Sequence, residues 1–414
     1  MRNAWANTQT EPWSTGGRPR LAARVLLGRL AAWRGGSIVL ALPDGTEVAF
    51  GDGRPVRARI NDWRFFRRAL FAGDVGIGES YVDGDWDCAD LVELISRFLL
   101  HPSAMGERSS WTWPMGLANR WRRLANMNTR AGSRRNIGRH YDLSNEMFAL
   151  FLDESMTYSS AVFATADASL EEAQREKIDG VCRALDLRPG QHLLEIGSGW
   201  GSLAMHAARE YGCRVTSLTL SEQQLRAARG RARQGGLEGS IDFELRDYRD
   251  ARGSYDHIVA IEMLEAVGAE YYGRFFRTCD RLLRPGGRMF LQAITVPDQR
   301  FDAYRSQLDW IRKHIYPGGC LTSIAAIATA LKRDTSLQIE SLRDIGLHYA
   351  PTLRHWRRRF VDRLADVRRL GFDERFERTW EYYLASCEAA FATRSIGNVQ
   401  MVLGRPGEPR PLPA

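Results

Sequence analysis

The sequence predicts an α/β fold with a mostly parallel sheet for its larger part, preceded by a smaller mixed α/β block. Three observations carry this. From His140 onward, helical segments alternate with short apolar strand segments, the mark of repeated βαβ units. One of these strands, HLLEIG, runs into Gly197-x-Gly199-x-Gly201 and then a helical stretch, where glycines let a ligand approach backbone amides at a helix N-terminus. The 414 residues also exceed the roughly 250–300 at which a single core stops growing, so a main domain with a smaller companion is expected.

The elements follow in order. Leu26, Leu30 and Trp33 have the i, i+4, i+7 spacing of an amphipathic helix over residues 20–33. SIVLALPDGTEVAFG alternates across a Pro-Asp-Gly turn as a hairpin does, and DLVELISRFLL is a second helical piece that closes a block spanning residues 1–104. Residues 105–135 form a basic, Trp-containing linker, residues 136–405 the α/β domain, and residues 406–414 a proline-rich tail expected to fray. Within the α/β domain the expected strands are HLLEIG, RVTSLTL, IDFELRD, YDHIVAIE and RMFLQAIT, with IESLRDIG and NVQMVLG as a late pair.

Composition narrows the function classes. Hydrophobic residues make up 44%, aromatic 10% and charged 26%, which argues against a disordered, fibrous or multi-span chain. Six cysteines without a C-x-x-C pair give neither a disulfide framework nor a zinc site, and fit a reducing cytosol. No apolar run reaches the ~18 residues of a membrane span, so any membrane contact is expected to be peripheral. Net charge is +8, and all but three of the basic residues are arginine. The charge concentrates in residues 107–139, where Trp111, Trp113 and Trp121 sit among arginines with Glu107 as the only acid. This suits an anionic lipid surface; RNA or a solvated linker would suit it too.

The glycine loop does not read as a dinucleotide site. Its spacing is not G-x-G-x-x-G, and the next strand ends in Thr219-Leu-Ser-Glu-Gln-Gln224 rather than in a ribose-binding acid. Glu195, two residues before Gly197, is placed like the acid with which methyltransferases anchor their loop and ligand, which favours S-adenosylmethionine.

At this point the chain resembles the cyclopropane-fatty-acyl-phospholipid synthases and their mycolic-acid-modifying relatives. The resemblance is carried by His140-Tyr-Asp-Leu-Ser-Asn-Glu146, Met156-Thr-Tyr-Ser-Ser160, Glu171-Glu-Ala-Gln-Arg-Glu-Lys177, the glycine loop, Asp247-Tyr-Arg249, Glu265-Ala-Val-Gly268 and Tyr316-Pro-Gly-Gly319. The resemblance covers essentially residues 74–405, and GDVGIGESYVDGDWD, residues 73–87, is similar to the segment GD-x-G-x-G-E-x-Y-x-D-G-x-W that precedes the catalytic domain of the longer bacterial synthases. The resemblance implies a Rossmann-like class I methyltransferase domain and an N-terminal domain of lipid-binding or dimerisation type. It further implies that Tyr158 and Ser159 close over the methionine end of S-adenosylmethionine, Gly197 and Gly199 line the loop, Thr219 and Gln224 hold the ribose, and Asp247 with Tyr248 borders the adenine.

The implied reaction adds a one-carbon unit from S-adenosylmethionine to the cis double bond of an acyl chain already in a phospholipid, forming a cyclopropane. Ring closure needs a base. In the family this is a bicarbonate held by a cysteine, a glutamate, a histidine, an isoleucine and a tyrosine. Here the matching residues are Ser160, Glu265, Gln292, Ile294 and Tyr349, so cysteine and histidine are replaced. A serine hydroxyl and a glutamine amide still donate hydrogen bonds to an anion, but neither serves as a base near neutral pH. Cyclopropanation is therefore expected, with a fatty-acyl C-methyltransferase giving methyl-branched or methylene chains as the alternative and a non-catalytic lipid-binding protein as a second. The resemblance also implies a homodimer at the inner face of the cytoplasmic membrane, with no metal and no nucleic-acid partner.

Overall fold

The computed structural model describes residues 21–101, 132 and 144–407. The basic Trp-bearing stretch 107–139 apart from residue 132, the start of the motif at His140 and the last seven residues of the tail lie outside these.

The N-terminal unit is a four-stranded sheet, β1 (Ser37–Ala41), β2 (Glu47–Phe50), β3 (Pro55–Ile60) and β4 (Trp86–Cys88), in the order β2-β1-β3-β4. The expected hairpin is present: β1 and β2 pair antiparallel across the Pro-Asp-Gly turn. The helix Leu21–Leu30 buries Ala23, Leu26, Leu27 and Leu30, one helical face, with Trp33 fully buried beyond it. Three elements escaped the sequence reading, the short strand β4 among them. In β3, Val56, Ala58 and Ile60 point inward between exposed arginines, a period of two hidden by its short length and leading proline. The helix Arg64–Val82 is broken by Gly73, whose φ of 56° interrupts the helical period.

The larger unit is a seven-stranded sheet formed by β5 (His192–Ile196), β6 (Arg214–Thr219), β7 (Ile241–Leu245), β8 (Tyr255–Ile261), β9 (Leu283–Thr295), β10 (Gln338–Asp344) and β11 (Gly397–Gly404). The order is β10-β11-β9-β8-β5-β6-β7. β5 through β9 run parallel, and β11 pairs antiparallel with both β9 and β10. All seven strands read from the sequence are present. From β5 the chain winds outward through β6 and β7, then crosses back to β8. The crevice of the fold therefore opens at the adjacent C-terminal ends of β5 and β8, where strand order reverses.

The GDVGIGE segment docks the N-terminal unit onto the catalytic one. The Asp74 carboxylate accepts the Trp310 backbone N–H at 3.2 Å. Glu79 pairs with Lys313 and with His314 Nε2, the latter at 2.9 Å. Between them Gly78 lies flat against the Trp310 indole: a Cβ there would come within 2.5 Å of the ring. Arg378, on the helix Glu374–Ala392, sits 4.2 Å above the Tyr81 ring and donates to the Tyr81 carbonyl at 2.7 Å. The segment held this way leads directly into Tyr316, whose hydroxyl reaches the candidate site. Gly78→Ala should therefore lower stability by about 1–3 kcal/mol through overpacking. A thermal melt and limited proteolysis between the units would measure it, and an unchanged melting temperature would show that the indole yields freely.

Candidate functional site at the switch point

The first half of the site is the loop after β5. Gly197, Gly199 and Gly201 have φ of 101°, 49° and 86°, conformations that side chains disfavour. The Gly197 and Ser198 amides both donate to the Leu218 carbonyl at 2.9 Å, pinning the loop to β6. A Cβ built on Gly199 would meet no protein atom within 4 Å, so the loop leaves ligand-sized space above its backbone at the start of the helix Ser202–Tyr211. Tyr158, Ser159, Gly197, Gly199, Thr219, Gln224 and Tyr248 all line one cleft here, as do Lys177, Glu195 and Glu262. The cleft fits an adenosyl ligand: it offers open backbone, a ring wall and hydroxyl and amide groups.

Thr219 donates to Gln224 Oε1 at 3.1 Å and accepts the Ser221 amide at 3.1 Å, which fixes the Gln224 side chain at the end of β6. Arg231 donates to the Ser155 and Trp200 carbonyls at 2.7 and 2.9 Å and so ties the segment bearing Tyr158 to the glycine loop. Asp247 is engaged within its own turn. Its carboxylate caps the 3-10 turn Tyr248–Asp250 and forms a bidentate pair with Arg249 at 2.6 and 2.8 Å, so its neighbours Arg246 and Tyr248 line the cleft in its place.

Two buried ionisable groups flank the cleft floor. Glu195 accepts the Ser217 hydroxyl at 2.5 Å, and burial pushes its carboxyl up to about 8. Lys177 donates to Ser159 Oγ at 2.8 Å, and burial pushes its ammonium down to about 8, opposed by the charges of Glu262, Asp153 and Glu195.

The second half gathers around one carboxylate, that of Glu262, the residue after β8. Its φ is 48°, a strained conformation for a side chain that costs roughly 1–3 kcal/mol and persists where the surroundings over-determine it. Oε1 accepts Asn398 Nδ2 at 2.6 Å, Gln292 Nε2 at 2.8 Å and the Ser160 amide at 3.1 Å. Oε2 accepts the Tyr349 hydroxyl at 2.7 Å. Gln292 is held in turn by Gln400, which donates to its Oε1 at 3.0 Å across the β9–β11 pairing. Tyr349 stacks on Phe391 with ring centroids 4.4 Å apart. Burial and the Glu262 charge raise its phenol well above the usual range.

The residues expected to cage an anion are thus brought together, with differences in detail. Gln292 and Tyr349 donate as expected, but to Glu262. Ser160 contributes its backbone N–H, because its hydroxyl turns to the Ala161 carbonyl at 3.0 Å. Glu265 sits one turn beyond the hub: Oε1 accepts the Ile294 amide at 2.5 Å, and Oε2 is buried with no partner. Burial, with the nearby Glu262 charge, pushes the Glu265 carboxyl up to about 8. His348 accepts the Phe163 amide and His314 binds Glu79, so neither joins the cluster. Tyr158, Tyr316 and Tyr383 form a triangle of hydroxyls 2.9–3.3 Å apart beside it.

Glu262, Asn398, Lys177 and Tyr383 were not singled out from sequence. Signals existed: an acid closing the apolar strand YDHIVAI at a sheet's C-terminal edge, and polar Asn398 and Gln400 alternating within NVQMVLG. Among the described residues no His/Cys/Asp/Glu group could hold a metal ion.

The mycolic acid cyclopropane synthetase family matches residues 128–401. The tuberculostearic acid methyltransferase of Mycobacterium tuberculosis is 40% identical over 378 residues, covering 89% of this chain and 88% of that one. The cyclopropane-fatty-acyl-phospholipid synthase of Escherichia coli is 34% identical over 358 residues, covering 86% and 90%. Among solved structures, a mycolic acid cyclopropane synthase complexed with SAH and CTAB superposes with a TM-score of 0.61 at 30% identity, covering 65% of this chain and 97% of that one. With the glycine-loop cleft and the neighbouring polar cluster formed as described, the chain belongs to the mycolic acid cyclopropane synthetase family and is an S-adenosylmethionine-dependent methyltransferase that modifies fatty acyl chains.

Proposed function

We propose that the enzyme methylates the cis double bond of acyl chains in phospholipids and that its product is a methyl-branched or methylene chain rather than a cyclopropane. The observation that carries this is the state of the anion cage: its donors are engaged by a carboxylate of the chain itself. S-adenosylmethionine, when bound along the glycine loop, supplies an electrophilic methyl group. What the protein contributes is orientation and a surface for positive charge. Tyr158 lines the cleft with Tyr316, Tyr383 and Tyr349 close by, and Glu262 supplies a fixed negative charge; both suit a carbocation on the acyl chain.

The branching reading follows from how that charge is held. A carboxylate with three donors on Oε1 and Tyr349 on Oε2, anchored at a strand end, cannot follow the transferred carbon. The cation then has time for a hydride shift that moves the charge to the more substituted, methyl-bearing carbon before a proton leaves. The 40% relative, named as a methyltransferase, supports this product. Cyclopropanation is the second reading, supported by the 34% relative and by Glu265, Ile294 and Tyr349 standing at the expected positions.

The N-terminal unit and the basic stretch 107–139 are the parts suited to bring the enzyme to a membrane, where arginine meets phosphate and tryptophan the headgroup level. Among the described residues no helix is long and apolar enough to cross a membrane. A homodimer would double the membrane contact.

Incubation with unsaturated phospholipid vesicles and S-adenosylmethionine carrying a trideuterated methyl tests the product. Three deuterons retained indicate a methyl group and two a methylene or a ring, which deuterium NMR separates by vinylidene against cyclopropyl signals; a cyclopropane would overturn the branching reading. Tyr349→Phe should lower kcat roughly 10- to 100-fold with little change in cofactor Kd, measured by calorimetry beside turnover. Because the folded Glu265 carboxyl binds its proton more tightly than the usual 4.5, stability should fall as pH rises from about 5 to about 8. Glu265→Gln should flatten that slope in denaturant titrations across this range; an unaltered slope would place the Glu265 titration elsewhere.

A further inference from the structure

The Glu262 carboxylate is charge built into the wall of the cofactor cleft, and its donors are those that an external anion would need. The Ser160 amide, Gln292, Asn398 and Tyr349 come from four separate segments and converge on its two oxygens at 2.6–3.1 Å. Lys177, buried at the same cleft, is the nearby cation whose charge interacts with it. Oε1 carries three donors and has no lone pair to spare. Oε2 carries one, from Tyr349, and keeps a lone pair free. The backbone at φ 48° holds this side chain in a conformation that a glycine would adopt without strain.

We propose that Glu262 is the enzyme's own general base, a covalently tethered substitute for a bound bicarbonate, and that Oε2 is the atom that receives the proton. This rests on the acyl-chain reading above. In the step, the alkene π pair forms the bond to the incoming methyl carbon while the carbon–sulfur pair leaves with the thioether, and positive charge appears on the chain. Oε2 then accepts a proton from the added carbon. The released C–H pair becomes the C=C bond of a methylene group after a hydride shift, or the third ring bond without one. In both cases one proton passes to Glu262 and no oxidant or reductant is required. Tyr349 and Gln292 are positioning residues, aiming the two oxygens.

Two variants separate this role from a structural one. Glu262→Gln keeps the side chain's shape and removes its basicity. Glu262→Gly removes the carboxylate, relieves the backbone and leaves a donor-lined hole of carboxylate size. Both should lose at least about 100-fold in turnover on dioleoyl phosphatidylglycerol vesicles, while S-adenosylmethionine affinity by calorimetry stays close to wild type. Sodium bicarbonate or formate should restore turnover to the glycine variant and leave the glutamine variant inactive, since its hole is filled. Wild-type turnover should be unchanged in bicarbonate-free buffer. Variants that turn over like wild type, or a wild type that stalls when bicarbonate is stripped, would overturn the proposal. A wild type that transfers no methyl at all would instead overturn the acyl-chain reading and this inference with it.

Discussion

The catalytic half of the molecule is organised around the hydrogen bonding of one carboxylate. A partly buried negative charge is costly unless donors and a counter-charge surround it, and Glu262 receives both. Satisfying it draws together the end of β8, the middle of β9, the start of β11, the helix Gly346–Asp362 and the segment bearing Ser160. The strained backbone at Glu262 is consistent with the same demand, because four outside donors fix where the oxygens must lie.

Around this hub the charges are graded. Glu262 and Lys177 line the same cleft and interact electrostatically, while Glu195 and Glu265 are carboxyls that burial holds toward the neutral form. Two glutamates three residues apart thus differ in environment: one is surrounded by donors, the other keeps an orphaned oxygen in a dry site. The tyrosine triangle adds ring faces without adding charge.

The N-terminal unit bears on the site through packing. GDVGIGE clasps the helix Trp310–His314 with Asp74, Gly78 and Glu79, and the chain emerging from that clasp delivers Tyr316 to Tyr158 and Tyr383. The glycines in the motif serve this contact, since Gly78 must admit the Trp310 ring. A motif that in sequence marks only a resemblance is, in three dimensions, an interdomain fastener.

Sequence alone determined the sheet, the glycine loop, the cofactor class and the family, because each is written in local patterns: apolar periodicity, glycine spacing and runs of residues contiguous in the chain. It also named Ser160, Gln292, Ile294 and Tyr349 as neighbours of one anion. Tertiary structure alone shows which group the Ser160, Gln292 and Tyr349 donors meet within the chain, the Glu262 carboxylate. Glu262 lies three residues from the glutamate that the motif picks out, and only the turn after β8 puts it, rather than Glu265, under the donors. Asn398 is more than a hundred residues away and joins through the antiparallel register of β11 on β9, which no local pattern encodes. Ser160 and Asp247 likewise depend on side-chain rotation, toward Ala161 and Arg249, that competing hydrogen bonds settle only when the partners are in place.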